Sequence, residues 1–167
     1  MTPWLVVGPV LVAIVIAGAV MAVLFIVQTR EPAWTRITSR RAVVDVARED
    51  GAALSLGQTA FLASRIDAAL EALGLEWPSG YRLAVRAQER WANATGVVVA
   101  GETNPQRKVL LVGPSLAALA HELVHAHELE TRGVTDVTHT SPEWTGPGGW
   151  YERLAQYEAH LADSWSP

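Results

Sequence analysis

The sequence predicts an α+β protein: an N-terminal transmembrane helix, then a small domain of one helix, a three-stranded sheet and two closing helices. Three observations predict it. The first 29 residues carry no charged side chain, because all 13 Lys+Arg and all 17 Asp+Glu lie at or beyond Arg30. From residue 55 the hydrophobic residues recur at helical spacing and then alternate, which marks a helix followed by strands. Helical spacing then returns in AHELVHAHEL, residues 120–129, which holds three of the chain's five histidines.

The charge-free run from Trp4 to Val27 is 24 residues long. At about 1.5 Å of rise per residue, a helix of that length crosses a hydrocarbon core about 30 Å thick. A cleaved signal peptide would have a basic start and an apolar core of roughly 7–15 residues, and neither condition holds. Residues 1–29 are therefore expected to anchor the chain in a lipid bilayer through residues 4–27, as a single-pass membrane protein. Arg30, Arg36, Arg40 and Arg41 follow the span, so the positive-inside rule places the C-terminal domain in the cytoplasm. Residues 30–54 look like a juxtamembrane connector, and residues 55–167 form the domain.

Composition narrows the chemistry. A net charge of −4 and a pI near 5.7 argue against nucleic acid as a partner. The chain has no cysteine, which excludes disulfides and thiolate ligands. Any transition metal must be held by His, Asp or Glu.

In SLGQTAFLASRIDAALEALG, residues 55–74, the positions Leu62, Ile66, Ala69, Leu70 and Leu73 form one helical stripe. Ser55 with Gln58 fits a capping box, and Gly74 a C-terminal stop. Tyr81, Leu83, Val85 and Ala87 then alternate with polar residues, as in a half-buried strand. Residues 96–102 and 107–113 are two more strand-like runs, joined by a hairpin-like Thr103-Asn104-Pro105-Gln106. Gly113-Pro114-Ser115 ends the sheet. A helix over 115–129, a Gly/Pro/Trp-rich loop over roughly 131–149 and a last helix over 150–165 complete the order.

The first of these last helices contains H-E-x-x-H. Residues four apart share a helical face, so His121 and His125 can direct ring nitrogens at one ion. Zinc held by two histidines and a carboxylate keeps a position open for water and lowers its pKa toward about 7. Glu122, displaced by about 100° around the axis, can take that water's proton as general base. His127 falls on another face and is a poor candidate ligand. Glu128, Glu130 and Arg132 read as a solvated helix end.

A third ligand must come from elsewhere. A glycine and a histidine at the third and sixth positions after His125 would complete the longer metzincin pattern, but Glu128 and Thr131 stand there. The final helix offers Glu152 and Glu158. The face of Glu152 continues through Ala155, Gln156 and Ala159, small enough for a close helix approach. Glu158 shares its face with Leu154, Leu161 and Trp165, which look like core. Geometry favours Glu152, with Glu158, His139 in the loop and, more weakly, Asp136 as alternatives. Tyr151, Tyr157, His139 and His160 are candidates for stabilising an oxyanion. Trp144 and Trp150 either cover the cleft or pin the loop to the core.

The sequence His121-Glu-Leu-Val-His125, followed by Tyr151-Glu-Arg-Leu-Ala155 on a later helix, resembles the gluzincins, particularly the minimal ones. The resemblance covers about residues 55–165 by element order. It implies a zincin-like fold, Zn2+ as cofactor, Glu152 as third ligand, and peptide or protein substrates bound along an exposed strand within 81–112. Membrane-bound members carry E-x-x-A-D, and here Gln156 replaces the aspartate. The expected activity is that of a membrane-anchored zinc endopeptidase. The alternative is a membrane-tethered binding or structural module with an inert or absent metal site.

Overall fold

The computed structural model describes residues 32–114 and 118–164, from 159 onward as backbone alone. In chain order the elements are β1 (Thr35–Thr38), β2 (Val43–Arg48), α1 (Leu56–Leu73), β3 (Arg82–Val85), β4 (Trp91–Ala92), β5 (Val98–Val99), β6 (Gly101–Asn104), β7 (Val109–Val112), α2 (Leu119–Arg132), α3 (Pro142–Thr145) and α4 (Trp150–Ser164).

The main sheet has five strands in the order β1-β2-β3-β7-β6. Its centre is parallel, β2 with β3 and β3 with β7, and each edge strand pairs antiparallel with its neighbour. Strands β4 and β5 form a separate two-stranded ribbon. The parallel β2–β3 pair requires a crossover connection, and α1 supplies it. Sheet residues Val44, Val46, Leu83, Leu110 and Val112 meet Ile66 and Leu70 of α1 and Leu119, Leu123 and Val124 of α2 in one hydrophobic core.

Helix α1 forms where its sequence signals put it. The Ser55 hydroxyl accepts from the Gln58 backbone N–H, the Gln58 side chain accepts from the Ser55 N–H, and Gly74 closes the helix at φ +64°. The expected stripe, Leu62, Ile66, Ala69, Leu70 and Leu73, is buried. The β6–β7 hairpin also forms, with Asn104 opposite Val109.

Two expectations require correction. Residues 30–54 are not a featureless connector: they supply β1 and β2, so the sheet has five strands instead of three. Val44, Val46 and Ala47 are buried and Asp45 half-buried, a run too short and too interrupted to announce a strand by alternation alone. The second correction concerns the membrane. Among the described residues no helix is long and apolar enough to cross a bilayer. Helix α1 has 18 residues but carries Arg65, Asp67 and Glu71. The fold is therefore a small α+β domain without a transmembrane helix among those residues, and neither a single-pass membrane protein nor its cytoplasmic orientation is supported. The segment 4–27 on which that reading stood lies outside the described residues.

The β1–β2 turn is fastened to α1 by one carboxylate. Asp67, 5% exposed, accepts from the backbone N–H groups of Arg40 and Arg41 and from Arg40 Nε at 3.0–3.2 Å. Burial alone would raise its pKa, but these donors and Ser39 hold it below the usual carboxylate range. Replacing Asp67 by alanine leaves two backbone donors without an acceptor. We expect Asp67→Ala to lower unfolding stability by about 2 kcal/mol or more in urea titrations; a loss under about 0.5 kcal/mol would show that the turn does not depend on it.

Candidate metal centre

Helix α2 carries His121 and His125 one turn apart, and the loop after it brings in His139. The Nε2 atoms of His121 and His125 lie 3.0 Å apart, and those of His125 and His139 3.2 Å apart. One ligand atom from each of the three falls within 4.8 Å of the others, the one such group of His, Cys, Asp or Glu among the described residues. Nitrogens held about 2.0–2.1 Å from a tetrahedral ion would stand about 3.3 Å apart, so the set fits a small transition-metal cation.

Electrostatics favours ligation. Burial, then the neighbouring His125 and His139, pushes the His121 pKa down to about 4. Burial and His139 also lower that of His125. Both rings are therefore unprotonated at neutral pH, with lone pairs available.

His139 reaches the cluster through a constrained backbone. Its φ is +55°, a left-handed conformation uncommon outside glycine though less so for histidine. Asp136 holds the loop in that shape: Oδ1 accepts from the Thr138 N–H, the Thr138 hydroxyl and the His139 N–H, and Oδ2 from the Ser141 N–H, all at 2.7–3.0 Å. The backbone N–H of Ser141 is the largest of the effects that hold the Asp136 carboxyl far below its ordinary range. Trp144, fully buried on α3, forms the floor. Its ring lies 4.0 Å from that of His139 and 5.3 Å from those of His121 and His125.

Beneath His125 sits a second carboxylate, Glu128, only 2% exposed. Its Oε2 accepts from the Thr135 hydroxyl at 2.8 Å and the Asp136 N–H at 3.1 Å, and its Oε1 from Trp144 Nε1 at 2.9 Å. Burial would raise its pKa; these three donors outweigh burial and hold it below the usual value. Because the Thr135 proton is directed at Glu128, the Thr135 oxygen accepts from His125 Nδ1, 2.6 Å away. That places the ring proton on Nδ1 and leaves Nε2 free to ligate.

Glu122, the residue after His121 on α2, faces edge strand β6. Its Oε2 is 2.7 Å from the Thr103 hydroxyl, which also lies 3.1 Å from the Glu122 carbonyl oxygen. Burial pushes its pKa up to about 7, against the lowering effect of Thr103. Gly101 makes the close approach of β6 to α2 possible. A Cβ there would stand 2.5 Å from Glu122 Oε1 and 2.9 Å from the Ala118 Cβ.

The structure thus brings together His121, His125 and His139, with Glu122 adjacent on the helix. Glu152 is not brought in. It is exposed in the first turn of α4, where its carboxylate accepts from the Gly148 N–H at 2.8 Å. The reason is the facing of α4: Leu154 and Tyr157 are buried, while Glu152, Ala155, Gln156 and Glu158 are exposed, so the small-residue face turns to solvent. With a histidine as third group, the set departs from the gluzincin pattern. Asp136 shapes the loop instead of ligating. His127 faces Trp150, ring centroids 5.9 Å apart, away from the cluster. Tyr151 is 48% exposed with its ring 6.2 Å from that of His139, whereas Tyr157 is buried and its pKa is pushed by burial up to about 12. The side chain of His160 lies outside the described residues. Glu128 belongs to the site, not to a solvated helix end. Its signal in the sequence was its position three residues after His125, one turn along the same face. Thr103 and Thr135 gave no signal.

No protein-family model, curated protein or solved structure matches the chain.

Two outcomes test this geometry. Gly101→Ala should lower stability by about 1–3 kcal/mol through overpacking against Glu122, whereas unchanged denaturation would mean that β6 and α2 have room to spare. A buried carboxyl with a raised pKa loses stability as pH climbs from its unfolded value of 4.5 through about 7. Glu122→Gln, compared with the metal-free wild type, should therefore gain relative stability across that window, on the order of 3 kcal/mol. A pH-independent difference would show that Glu122 is not desolvated.

Proposed function

We propose that this chain is a zinc-dependent endopeptidase in which His121, His125 and His139 hold the metal and Glu122 is the general base. The observation that carries the reading is the convergence of His121 and His125 of one H-E-x-x-H helix with His139 of the following loop, with the buried Glu122 next to His121 in the chain. Zinc bound there would supply a Lewis acid for a carbonyl oxygen and a water of lowered pKa. The Glu122 carboxylate accepts the proton of the attacking water and passes it to the amine nitrogen as the C–N bond breaks. A base whose pKa lies near 7 is matched to both transfers. Strand β6 is the outermost strand on this side of the sheet, and its contact with Glu122 supports it as the edge along which an extended peptide would pair. The exposed Tyr151 beside His139 is the candidate for steadying the developing oxyanion.

A non-catalytic metal-binding module is the second reading, favoured by one observation: the Glu122 carboxylate is engaged by Thr103. One experiment separates the two. The full chain, loaded with zinc, should cleave an unstructured protein such as casein, and Glu122→Gln should lower the rate at least 100-fold while retaining zinc. His139→Ala should lose zinc and Glu152→Gln should not. Zinc binding without cleavage by the wild type would favour the module; no zinc binding at all would end both readings of the centre.

A further inference from the structure

We propose that Glu128 and Thr135 are positioning residues for the metal: the buried Glu128 carboxylate supplies the counter-charge for a dication on the three histidines, and the Thr135 hydroxyl delivers it to His125. The inference rests on the metal-centre reading above and concerns how tightly the ion is held.

Three neutral imidazoles bring no charge to balance a dication. Glu128 is a fully buried carboxylate that accepts three hydrogen bonds, and its shortest approach to the His125 ring, at Nδ1, is 3.7 Å. That separation is too long for a direct hydrogen bond, and Thr135 fills it with two short ones, 2.6 Å to His125 Nδ1 and 2.8 Å to Glu128 Oε2. Both Glu128 oxygens are engaged by donors, so the carboxylate serves the ion from a distance instead of ligating it. Its nearest fixed cation, Arg132 Nη1, stands 3.8 Å away on a side chain 45% exposed and is shared with Glu143. Much of the Glu128 charge is thereby left facing His125. A hydroxyl in this position also locks the ring against rotation, because only one tautomer and one orientation satisfy Thr135. Trp144 reads the same carboxylate from the opposite side while packing on His139, so both sides of the cluster register against Glu128.

The test measures zinc affinity of the full chain by competition with a chromophoric chelator, with folding followed by circular dichroism and urea unfolding. Thr135→Val and Glu128→Gln should each weaken zinc binding roughly 10- to 100-fold. Thr135→Ser, which keeps the hydroxyl, should bind like the wild type. The double variant should be scarcely weaker than the worse single one, since either change breaks the same relay. Should Glu128→Gln fail to fold, the Thr135 pair still decides. Wild-type affinity in Thr135→Val, equal losses in the serine and valine variants, or fully additive losses would each overturn the relay. If the wild type binds no zinc, the metal centre itself falls, an outcome distinct from zinc binding that ignores Thr135.

Discussion

Three imidazoles with ring nitrogens within 4.8 Å of one another, His125 at 3.0 Å from His121 and 3.2 Å from His139, are an arrangement that a folded chain must force. Their burial penalises the charged imidazolium that a further proton would create, so the cluster favours neutral rings at His121 and His125. Two of the rings are held by the pitch of α2, whose inner face is fixed by Leu119, Ala120, Leu123 and Val124 in the core. The third is held by a loop in a left-handed conformation, itself over-determined by four hydrogen bonds to Asp136 and by packing against Trp144. Strained backbone of this kind persists only where surrounding contacts insist on it, and it concentrates at functional positions.

Two glutamates on the same helix show how environment divides labour. Glu122 and Glu128 are both buried, so desolvation pushes both pKa values up. Glu122 meets one side-chain donor, Thr103, and remains raised; Glu128 meets Thr135, Asp136 and Trp144, and is lowered. One is thereby suited to exchange a proton near neutrality, and the other to remain an anion beneath the histidines. Opposed titration of neighbouring carboxylates is how a site assigns acid–base and electrostatic roles to one residue type. Gly101 belongs to the same logic, since only a residue without a Cβ lets the edge strand come close enough to engage Glu122.

Local signals carried much of this into the sequence. The Ser55/Gln58 box, the Gly74 stop and the leucine stripe specify α1 because capping and periodicity are nearest-neighbour chemistry. His121 and His125 were legible as a pair for the same reason. What was not legible depends on distant contacts. Strands β1 and β2 gain their standing from pairing with each other and with β3, not from their own composition. Glu152 is not brought to the histidines because Leu154 and Tyr157, three apart, are buried residues of α4 and turn its small-residue face outward. His139 was visible only as one loop histidine among alternatives, since its arrival depends on Asp136 and Trp144, whose roles exist only in three dimensions. Glu128, beside Arg132 and Glu130, looked like surface until Thr135 and Trp144 closed over it.

The most direct measurement of the central claim is the X-ray absorption fine structure of the zinc-loaded full chain. Its outer-shell imidazole scattering counts histidine ligands without reference to activity or folding. Three imidazoles at about 2.0–2.1 Å with one light oxygen neighbour are the predicted result. Two imidazoles with a protein carboxylate, or a fully hydrated ion, would contradict the three-histidine centre on which the proposed chemistry stands.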